Sequence, residues 1–296
     1  MGEAVARPGA GPRAGCTAGP AAPMKYDLLV LDLDGTILDG TSRLDPALAA
    51  SVRGAVGGGL GVTLATGRMP AGARPYWQEL GIRAPVILYN GGLIRDPATG
   101  ADLFRDELPA GLAWTAFPAF ANAPIHPLFF RGDALYCLHR TVPIAAYCEE
   151  QGLAVEEIGE PEPFLSGTEL SKCLFMGHPD VLPIVREDVL ARVAPAARLV
   201  LSRPDYLELV PASASKGRAL EWLAGRLEVP VERMIAVGDQ ENDVEMIRVA
   251  GVGVAMAHAP AGVRAAAARV APPPEAGGLL ALLAELLPEH FGRTRT

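Results

Sequence analysis

The stretch YDLLVLDLDGTILDG, residues 26–40, decides the fold of the chain. Its first half is a short apolar run rich in Leu and Val, which is typical of a parallel strand buried on both faces. Asp32 and Asp34 follow this run, and an extended backbone points side chains two residues apart to the same side. Gly35 then allows the chain to leave the strand sharply. The pattern predicts a buried strand whose carboxyl end carries two acidic side chains.

Strand and helix signals alternate beyond this stretch. Asp45 and Pro46 are typical of a helix start, with an acidic N-cap followed by proline in the first turn. Strands are expected at 61–65 and 85–89, with a helix at 70–80 between them. The alternation returns near the end of the chain, with helices at 216–227, 242–250 and near 278–290 and strands at 234–238 and 251–256. This order predicts an α/β fold with a doubly wound, Rossmann-like parallel sheet.

The middle of the chain departs from this alternation. Two pairs of short apolar segments flank turn residues and indicate antiparallel hairpins, 93–96 with 102–106 and 126–130 with 134–138. Further elements follow, with helices near 109–122, 141–151 and 180–193 and strands near 173–177, 197–202 and 206–210. We therefore predict an inserted α+β domain at 91–211 within a sheet core formed by 24–90 and 212–296. Residues 1–23 are rich in Gly, Ala and Pro without periodicity, and we expect a flexible tail there.

The overall charge limits the class of partner. The chain has 296 residues, with 26 Lys and Arg against 34 Asp and Glu, for a net charge of −8. This balance counts against nucleic acid and anionic membranes as partners, although one local cation can still hold a small anion. The four cysteines lack the spacing of a zinc site or a disulfide framework, which favours a reducing compartment. We expect a cytoplasmic protein with a small-molecule partner, and the oligomeric state stays open.

Polar residues follow the ends of several predicted strands, where ligands bind in open parallel sheets. They are Asp32 and Asp34, Thr66 and Gly67, Asn90 and Gly91, and Asp239 and Asp243. Four of them are carboxylates, which repel one another in a low dielectric unless a cation neutralises them, and oxygen ligands suit Mg²⁺. Lys216 follows a serine that can cap a helix, which places the lysine at the start of that helix. A helix start and an ammonium group both favour a bound phosphate.

Four segments in this order resemble the motifs of the haloacid dehalogenase superfamily, and within it the Cof-type sugar-phosphatase-like hydrolases with a C2-type cap. They are DLDGTILDG (32–40), LATGR (64–68), SKGRAL (215–220) and VGDQENDVEMI (237–247). The resemblance covers about 24–270, and such enzymes insert a cap domain between the second and third motifs, where the α+β insertion falls. It implies a Mg²⁺-dependent phosphatase that hydrolyses small organic phosphomonoesters, such as sugar phosphates, through an aspartyl-phosphate.

The resemblance also implies a role for each motif residue. Asp32 is the implied nucleophile, Asp34 the general acid and base, and Lys216 the catalytic cation. The implied metal ligands are Asp32, the main-chain carbonyl of Asp34, and Asp239. Asp243 is implied to orient these residues without binding the metal itself. The implied contacts to the phosphoryl group or substrate are Leu33, Thr66, Gly67, Asn90, Gly91, Lys216 and Asn242. The chain departs from the family pattern at Ala257-His258-Ala259, where relatives usually have Gly-Asn-Ala.

Two alternative functions stay open at this stage. A phosphomutase needs the same aspartyl-phosphate, and a non-catalytic phospho-ligand sensor stops at binding or at the phosphorylated aspartate. An acid and base at Asp34 counts against the sensor, because a module that only holds the phosphoryl group gains nothing from it. Lys172 is interpreted as the solvated flank of a cap strand, and the five histidines as ordinary loop or surface residues. The cap residues proposed as possible readers of the substrate are His126, Arg131, Lys172, Asp205 and Tyr206.

Overall fold

A computed structural model describes residues 26–292, and the expected tail at 1–23 lies outside them. The core is a parallel sheet of five strands, in the order β14-β13-β12-β1-β2. These strands are β1 (Leu28–Leu31), β2 (Gly61–Leu64), β12 (Met234–Gly238), β13 (Val252–Met256) and β14 (Arg269–Ala271). The predicted doubly wound α/β fold is confirmed, and β14 is a strand that the sequence analysis missed.

Helices cover both faces of this sheet. They are α1 (Pro46–Gly57), α2 (Pro70–Glu79), α7 (Lys216–Leu227), α8 (Val244–Val249), α9 (Ala261–Ala266), α10 (Gly278–Leu286) and α11 (Pro288–Phe291). Leu29 and Leu31 pack with α1, α10 and α11, whereas Leu28 and Val30 pack with α7 and α8 on the opposite side. Every side chain of β1 is therefore buried, which explains its unbroken apolar run. No helix between residues 26 and 292 has the length and apolarity that a bilayer crossing requires.

The helix boundaries follow the local signals closely. Asp45 caps α1 by accepting a hydrogen bond from the backbone N–H of Ala47 at 2.9 Å, and Pro46 lies in the first turn. The single helix expected near 278–290 is instead two helices, because Pro288 cannot continue the helical hydrogen bonding of α10.

The first predicted hairpin extends the core sheet. It consists of β4 (Leu93–Arg95) and β5 (Asp102–Arg105), and β4 pairs antiparallel with β3 (Val86–Leu88). A parallel bridge between Ala65 and Ile87 joins β3 to the end of β2, and Phe104 of β5 packs against Trp222 of α7. The division of the chain into domains stays a prediction, and these contacts favour a first boundary after residue 105 rather than at residue 91.

The inserted unit has its own sheet of six strands, in the order β10-β11-β9-β6-β7-β8. The strands are β6 (Ile125–Arg131), β7 (Ala134–Cys137), β8 (Glu156–Glu157), β9 (Lys172–Gly177), β10 (Ala197–Arg203) and β11 (Tyr206–Pro211). Its helices are α3 (Leu112–Phe120), α4 (Val142–Gln151), α5 (Pro161–Gly167) and α6 (Leu182–Val193). Cys173 and Phe175 pack beneath α3, α5 and α6, whereas Leu174 and Met176 of the same strand face the core domain. This second face covers the carboxyl ends of the core strands.

Gly91 allows β3 to end directly against the start of α7. Its φ is +96°, and a Cβ at this position would lie 2.3 Å from the carbonyl oxygen of Ser215. We expect Gly91→Ala to lower the free energy of unfolding by about 2–4 kcal/mol, through backbone strain and overpacking together. Urea denaturation measures this difference. The matched control is Gly225→Ala inside α7, where a Cβ meets open space and is expected to stabilise slightly; equal stability of the two variants would contradict the prediction.

Candidate active site

The ends of three neighbouring core strands bring the motif residues together. In the sheet β1 lies between β12 and β2, so the side chains that follow these strands meet at one edge. Asp32 follows β1, Thr66 lies two residues beyond β2, and Asp239 follows β12. Lys216 reaches the same edge from the first turn of α7, which Ser215 caps by accepting from the backbone N–H groups of Gly217 and Arg218.

Lys216 joins two carboxylates inside the protein. Its Nζ lies 2.6 Å from Oδ1 of Asp32 and 2.6 Å from Oδ1 of Asp243. All three residues are at least 95% buried, with exposed fractions of 1%, 5% and 0%. Burial by itself lowers the pKa of Lys216, but Asp243 and Asp32 outweigh it, so the pKa is raised and the ammonium form is kept. Burial raises the pKa of Asp32 above its usual range, Lys216 opposes this, and Asp243 and Asp239 add to it.

Asp243 also holds the loop that carries Asp239. Its second oxygen accepts hydrogen bonds from the backbone N–H groups of Asp239 and Gln240, each at 2.9 Å. Gly238 leaves the space for this carboxylate, because a Cβ there would lie 2.4 Å from Cγ of Asp243. The contacts made by Asp243 are therefore with protein groups that orient the site.

The residues present fit a divalent metal ion. Carboxylate oxygens of Asp32, Asp239 and Asp243 lie within 4.8 Å of one another, and all three residues are buried. Three carboxylates and the single ammonium group of Lys216 leave two negative charges in a space of low dielectric, which a divalent cation neutralises. A ligand set made only of oxygen atoms is the type that Mg²⁺ prefers.

Asp34 lies beside this cluster and has a different partner. Arg68 donates from Nε to Oδ2 of Asp34 at 2.8 Å and from Nη2 to the other oxygen, which gives a bidentate ion pair. Arg68 also donates to Oγ of Ser42, at 3.2 Å. Burial by itself lowers the pKa of Arg68, but the contact with Asp34 outweighs it and the pKa is raised. The sequence analysis missed this role for Arg68, although the residue directly follows Gly67 in the quoted LATGR segment.

Three of the predicted phosphoryl contacts, Thr66, Gly67 and Asn242, line one small cavity. It has a volume of about 50 Å³, and Thr66 and Asn242 line it together with Asp32 and Asp34. The inserted unit closes the cavity from the other side with Tyr147, Gln151, Lys172, Leu174, Tyr206 and Glu208, among others. Leu33 and Asn90 are buried and are not among the described residues that line the cavity, and Asn90 donates its amide N–H to Glu208 at 2.8 Å. The structure thus gathers these predicted residues in one region, and their roles stay predictions.

Lys172 is not the solvated flank that the sequence suggested. It is 2% exposed, and its Nζ donates to Oε2 of Glu208 and to the carbonyl oxygen of Gly67, each at 2.9 Å. The interpretation was wrong because a strand pattern cannot show that the core domain covers this end of β9. Among the five cap candidates, Lys172 and Tyr206 line the cavity, and the other three are not among the described residues that line it.

Two further contacts were not expected from the sequence. Glu208 was overlooked, although its position two residues after Tyr206 in β11 predicts a shared face. His258 lies in an exposed turn, as the sequence suggested, but its Nε2 also lies 3.3 Å from Oδ2 of Asp239, a contact that the sequence did not predict. Thr36 and Gln240 also donate to Asp239, at 3.2 and 2.9 Å.

Comparisons with known proteins show the family of the chain. Residues 29–283 match the family model of the haloacid dehalogenase-like hydrolases. YxeH of Bacillus subtilis (strain 168), which is named only provisionally as a phosphatase, is 30% identical over 246 residues, covering 79% of this chain and 88% of YxeH. The HMP-PP phosphatase of Serratia proteamaculans (strain 568) is 27% identical over 237 residues, covering 79% and 85% of the two chains. A crystal structure of a haloacid dehalogenase-like hydrolase from Bacteroides thetaiotaomicron is 25% identical and superposes with a TM-score of 0.80, covering 89% of this chain and 100% of that one.

Proposed function

The chain belongs to the haloacid dehalogenase-like hydrolases, as a phosphatase of the Cof type, and from this premise we propose a specific reaction. The protein hydrolyses small organic phosphomonoesters in a Mg²⁺-dependent reaction through an aspartyl-phosphate on Asp32. The observation that carries this proposal is the bridge from Lys216 to Asp32 and Asp243 within a buried carboxylate cluster. The described part of the chain combines a nucleophile, a fixed cation and a space for a divalent ion at this edge of the sheet.

Asp32 is the proposed nucleophile because it is the carboxylate that Lys216 contacts at the edge of the cavity. A phosphomonoester dianion repels a carboxylate, so attack requires positive charge at the point of approach. The ammonium group of Lys216 supplies part of this charge, and Asp243 fixes its position. The new bond joins an Asp32 oxygen to phosphorus while the bond from phosphorus to the alkoxide breaks.

Asp32, Asp239 and the main-chain carbonyl of Asp34 are the proposed ligands of Mg²⁺. When bound, the ion supplies Lewis-acid stabilisation of the phosphoryl oxygens. The chain's own part is to prepare the ligands. Thr36, Gln240 and His258 contact the Asp239 carboxylate, and a Cβ at Gly35 would lie 2.4 Å from one of its oxygens. These contacts limit the positions that the carboxylate can take.

Asp34 is the proposed general acid and base. Both of its oxygens accept hydrogen bonds from Arg68 in this conformation. A protonated carboxyl would set its O–H against one of these N–H donors, so Asp34 turns towards the leaving group for the acid step. Once it has given its proton to the leaving group, the carboxylate can pair with Arg68 again. In the second step it takes a proton from the water that attacks the aspartyl-phosphate, which returns it to the protonated form.

The substrate is proposed to be a small phosphorylated metabolite, and its leaving group faces the inserted unit. A relative named for HMP-PP supports this size class. The cavity of about 50 Å³ has room for only a few water molecules in this conformation, so we expect the inserted unit to move outward when substrate binds. A cytoplasmic location is also proposed, and the free thiols Cys137, Cys148 and Cys173 support it.

Chelation tests the proposed metal dependence. With p-nitrophenyl phosphate, the protein is expected to release phosphate over many turnovers in Mg²⁺. We expect EDTA to lower kcat by about 100-fold or more, because the site loses several kcal/mol of charge stabilisation. Excess Mg²⁺ restores turnover, and an unchanged melting transition in the dialysed protein controls for unfolding. Full activity of the metal-free protein would contradict the metal assignment.

The same assay separates the alternative functions. Release of one equivalent of p-nitrophenol without free phosphate, with the phosphoryl label retained on the protein, would indicate a sensor that stops at the phospho-aspartate. Interconversion of sugar phosphate isomers without net phosphate release would indicate a phosphomutase. Continuous release supports the proposed hydrolase.

A further inference from the structure

Four polar side chains form one continuous chain of hydrogen bonds between the inserted unit and the core. Lys172 donates to Oε2 of Glu208 at 2.9 Å, and the same oxygen accepts from Nδ2 of Asn90 at 2.8 Å. Oδ1 of Asn90 then accepts from Nδ2 of Asn242 at 2.9 Å. Lys172 and Glu208 come from β9 and β11 of the inserted unit, whereas Asn90 and Asn242 belong to the core. We refer to these four residues as the amide relay.

The chemistry of its first members fixes the direction of the relay. An ammonium group only donates hydrogen bonds and a carboxylate only accepts them, so Glu208 obliges Asn90 to present its NH₂ group. The carbonyl oxygen of Asn90 must then face Asn242, which in turn presents its own NH₂ group. Without these partners, each side-chain amide could rotate by half a turn and exchange the positions of its oxygen and its NH₂ group. The carboxylate in the inserted unit therefore decides the orientation of an amide in the phosphoryl region.

A second observation shows that the orientation of Asn242 is imposed from outside. Its Oδ1 is buried and has no hydrogen-bond partner among the described residues. A buried acceptor without a partner is energetically unfavourable. The amide takes this orientation because Asn90 requires a donor from it, and not because its own oxygen has found one.

Backbone geometry keeps Asn90 in place for this task. Asn90 has a φ of 56° and ψ of 28°, and Tyr89 before it also has a positive φ of 51°. Left-handed conformations of residues other than glycine are uncommon, and they persist where the surrounding structure requires them. Here they turn the Asn90 side chain between Glu208 and Asn242.

We propose that Glu208 is a positioning residue that orients the amides of Asn90 and Asn242, so that the phosphoryl-binding donors are assembled only when the inserted unit closes. The inference rests on the proposed function. It adds a coupling between the closure of the inserted unit and the orientation of the amides that face the phosphoryl group. Asn242 lines the cavity beside Asp32, and its remaining N–H is the donor that the relay prepares for a phosphoryl oxygen. When the inserted unit moves outward, Asn90 loses its acceptor and both amides are released.

A double-mutant cycle tests the relay. Lys172→Met with Glu208→Met replaces the buried ion pair by apolar side chains of similar length, a change that proteins often tolerate. Asn90→Gly removes the amide, and glycine accepts the positive φ at this position. We expect either change to lower kcat/KM for p-nitrophenyl phosphate about 10- to 100-fold and to weaken binding of inorganic phosphate, measured by calorimetry in Mg²⁺, about tenfold. The combined variant is expected to be no worse than the more damaged parent, because both changes break one relay.

Lys172→Met with Glu208→Gln is the conservative control, because it leaves no unpaired charge. The Gln amide oxygen can take the place of Oε2 and accept from Asn90, so kcat/KM is expected well above that of the Met pair and within about threefold of the wild-type value. Additive losses in the cycle, or a Gln variant as impaired as the Met pair, would overturn the relay. Additive losses would also be the result if Lys172 acted only through its bond to Gly67.

Phosphate binding measured by calorimetry distinguishes a failure of the proposed function from a failure of the amide relay. Absence of wild-type turnover would overturn the proposed function, and phosphate binding by the variants would still report on the relay. Turnover by the wild type with additive losses would overturn the relay alone. Thermal unfolding of every variant establishes that the proteins compared are folded.

Discussion

Asp32→Asn is expected to lower kcat by at least about 10⁴-fold while the protein stays folded. An amide is not a nucleophile towards phosphorus, so the aspartyl-phosphate cannot form and no other step can replace it. The side chain keeps its shape, and its oxygen can still accept the hydrogen bond from Lys216. Release of phosphate from p-nitrophenyl phosphate in Mg²⁺ measures the loss, and circular dichroism with thermal unfolding checks the fold.

Asp188→Asn is the matched control for this variant. It makes the same chemical change on an exposed helix of the inserted unit, where Asp188 pairs with Arg192 across one turn. Its activity is expected to equal that of the wild type. A trapping experiment with labelled substrate adds a direct readout, because the wild type acquires label that hydroxylamine removes and the Asn variant does not. Hydrolysis by Asp32→Asn at the wild-type rate would refute the assignment of the nucleophile.

Lys216→Met is expected to reduce both activity and stability. The phosphoryl group loses a fixed cation at the point of attack, and we expect kcat/KM to fall about 10³-fold. Two fully buried carboxylates lose the ammonium group that they share, and breaking a buried ion pair in this way costs about 3–5 kcal/mol. Urea denaturation without added metal measures the second effect.

Arg218→Met controls for the loss of one positive charge in the same helix. Arg218 is exposed two residues after Lys216, so this variant is expected to keep its activity and to differ in stability by about 0.5 kcal/mol or less. Partial recovery of the stability of Lys216→Met in saturating Mg²⁺ is also expected, since a bound cation offsets part of the unpaired charge. A Met variant with the stability and activity of the wild type would show that Lys216 has no role in the site.

The elements that the sequence predicted well are those with strong local signals. The apolar run of β1, the cap at Asp45 and the polar residues that end the core strands all depend on neighbours within a few positions. The missed elements have weak local signals. β8 contains only Glu156 and Glu157, and α5 is a short segment that begins with proline. A hairpin at β4 and β5 was also predictable, and β4 pairs with the adjacent β3 across a short turn. That these strands join the core and not the inserted unit depends on long-range contacts, such as the bridge from Ala65 to Ile87.

The sequence by itself determined the chemistry available to this protein: the carboxylates and the lysine in their order, and the alternation that sends the ends of parallel strands to one edge. Strand alternation even determines that Tyr206 and Glu208 share a face. Only the tertiary structure decided what that face meets. Glu208 contacts an asparagine 118 positions away, and Lys172 a backbone carbonyl 105 positions away. Such contacts depend on how two separately folded sheets dock, which is set by the sum of many packing contacts and not by any local pattern.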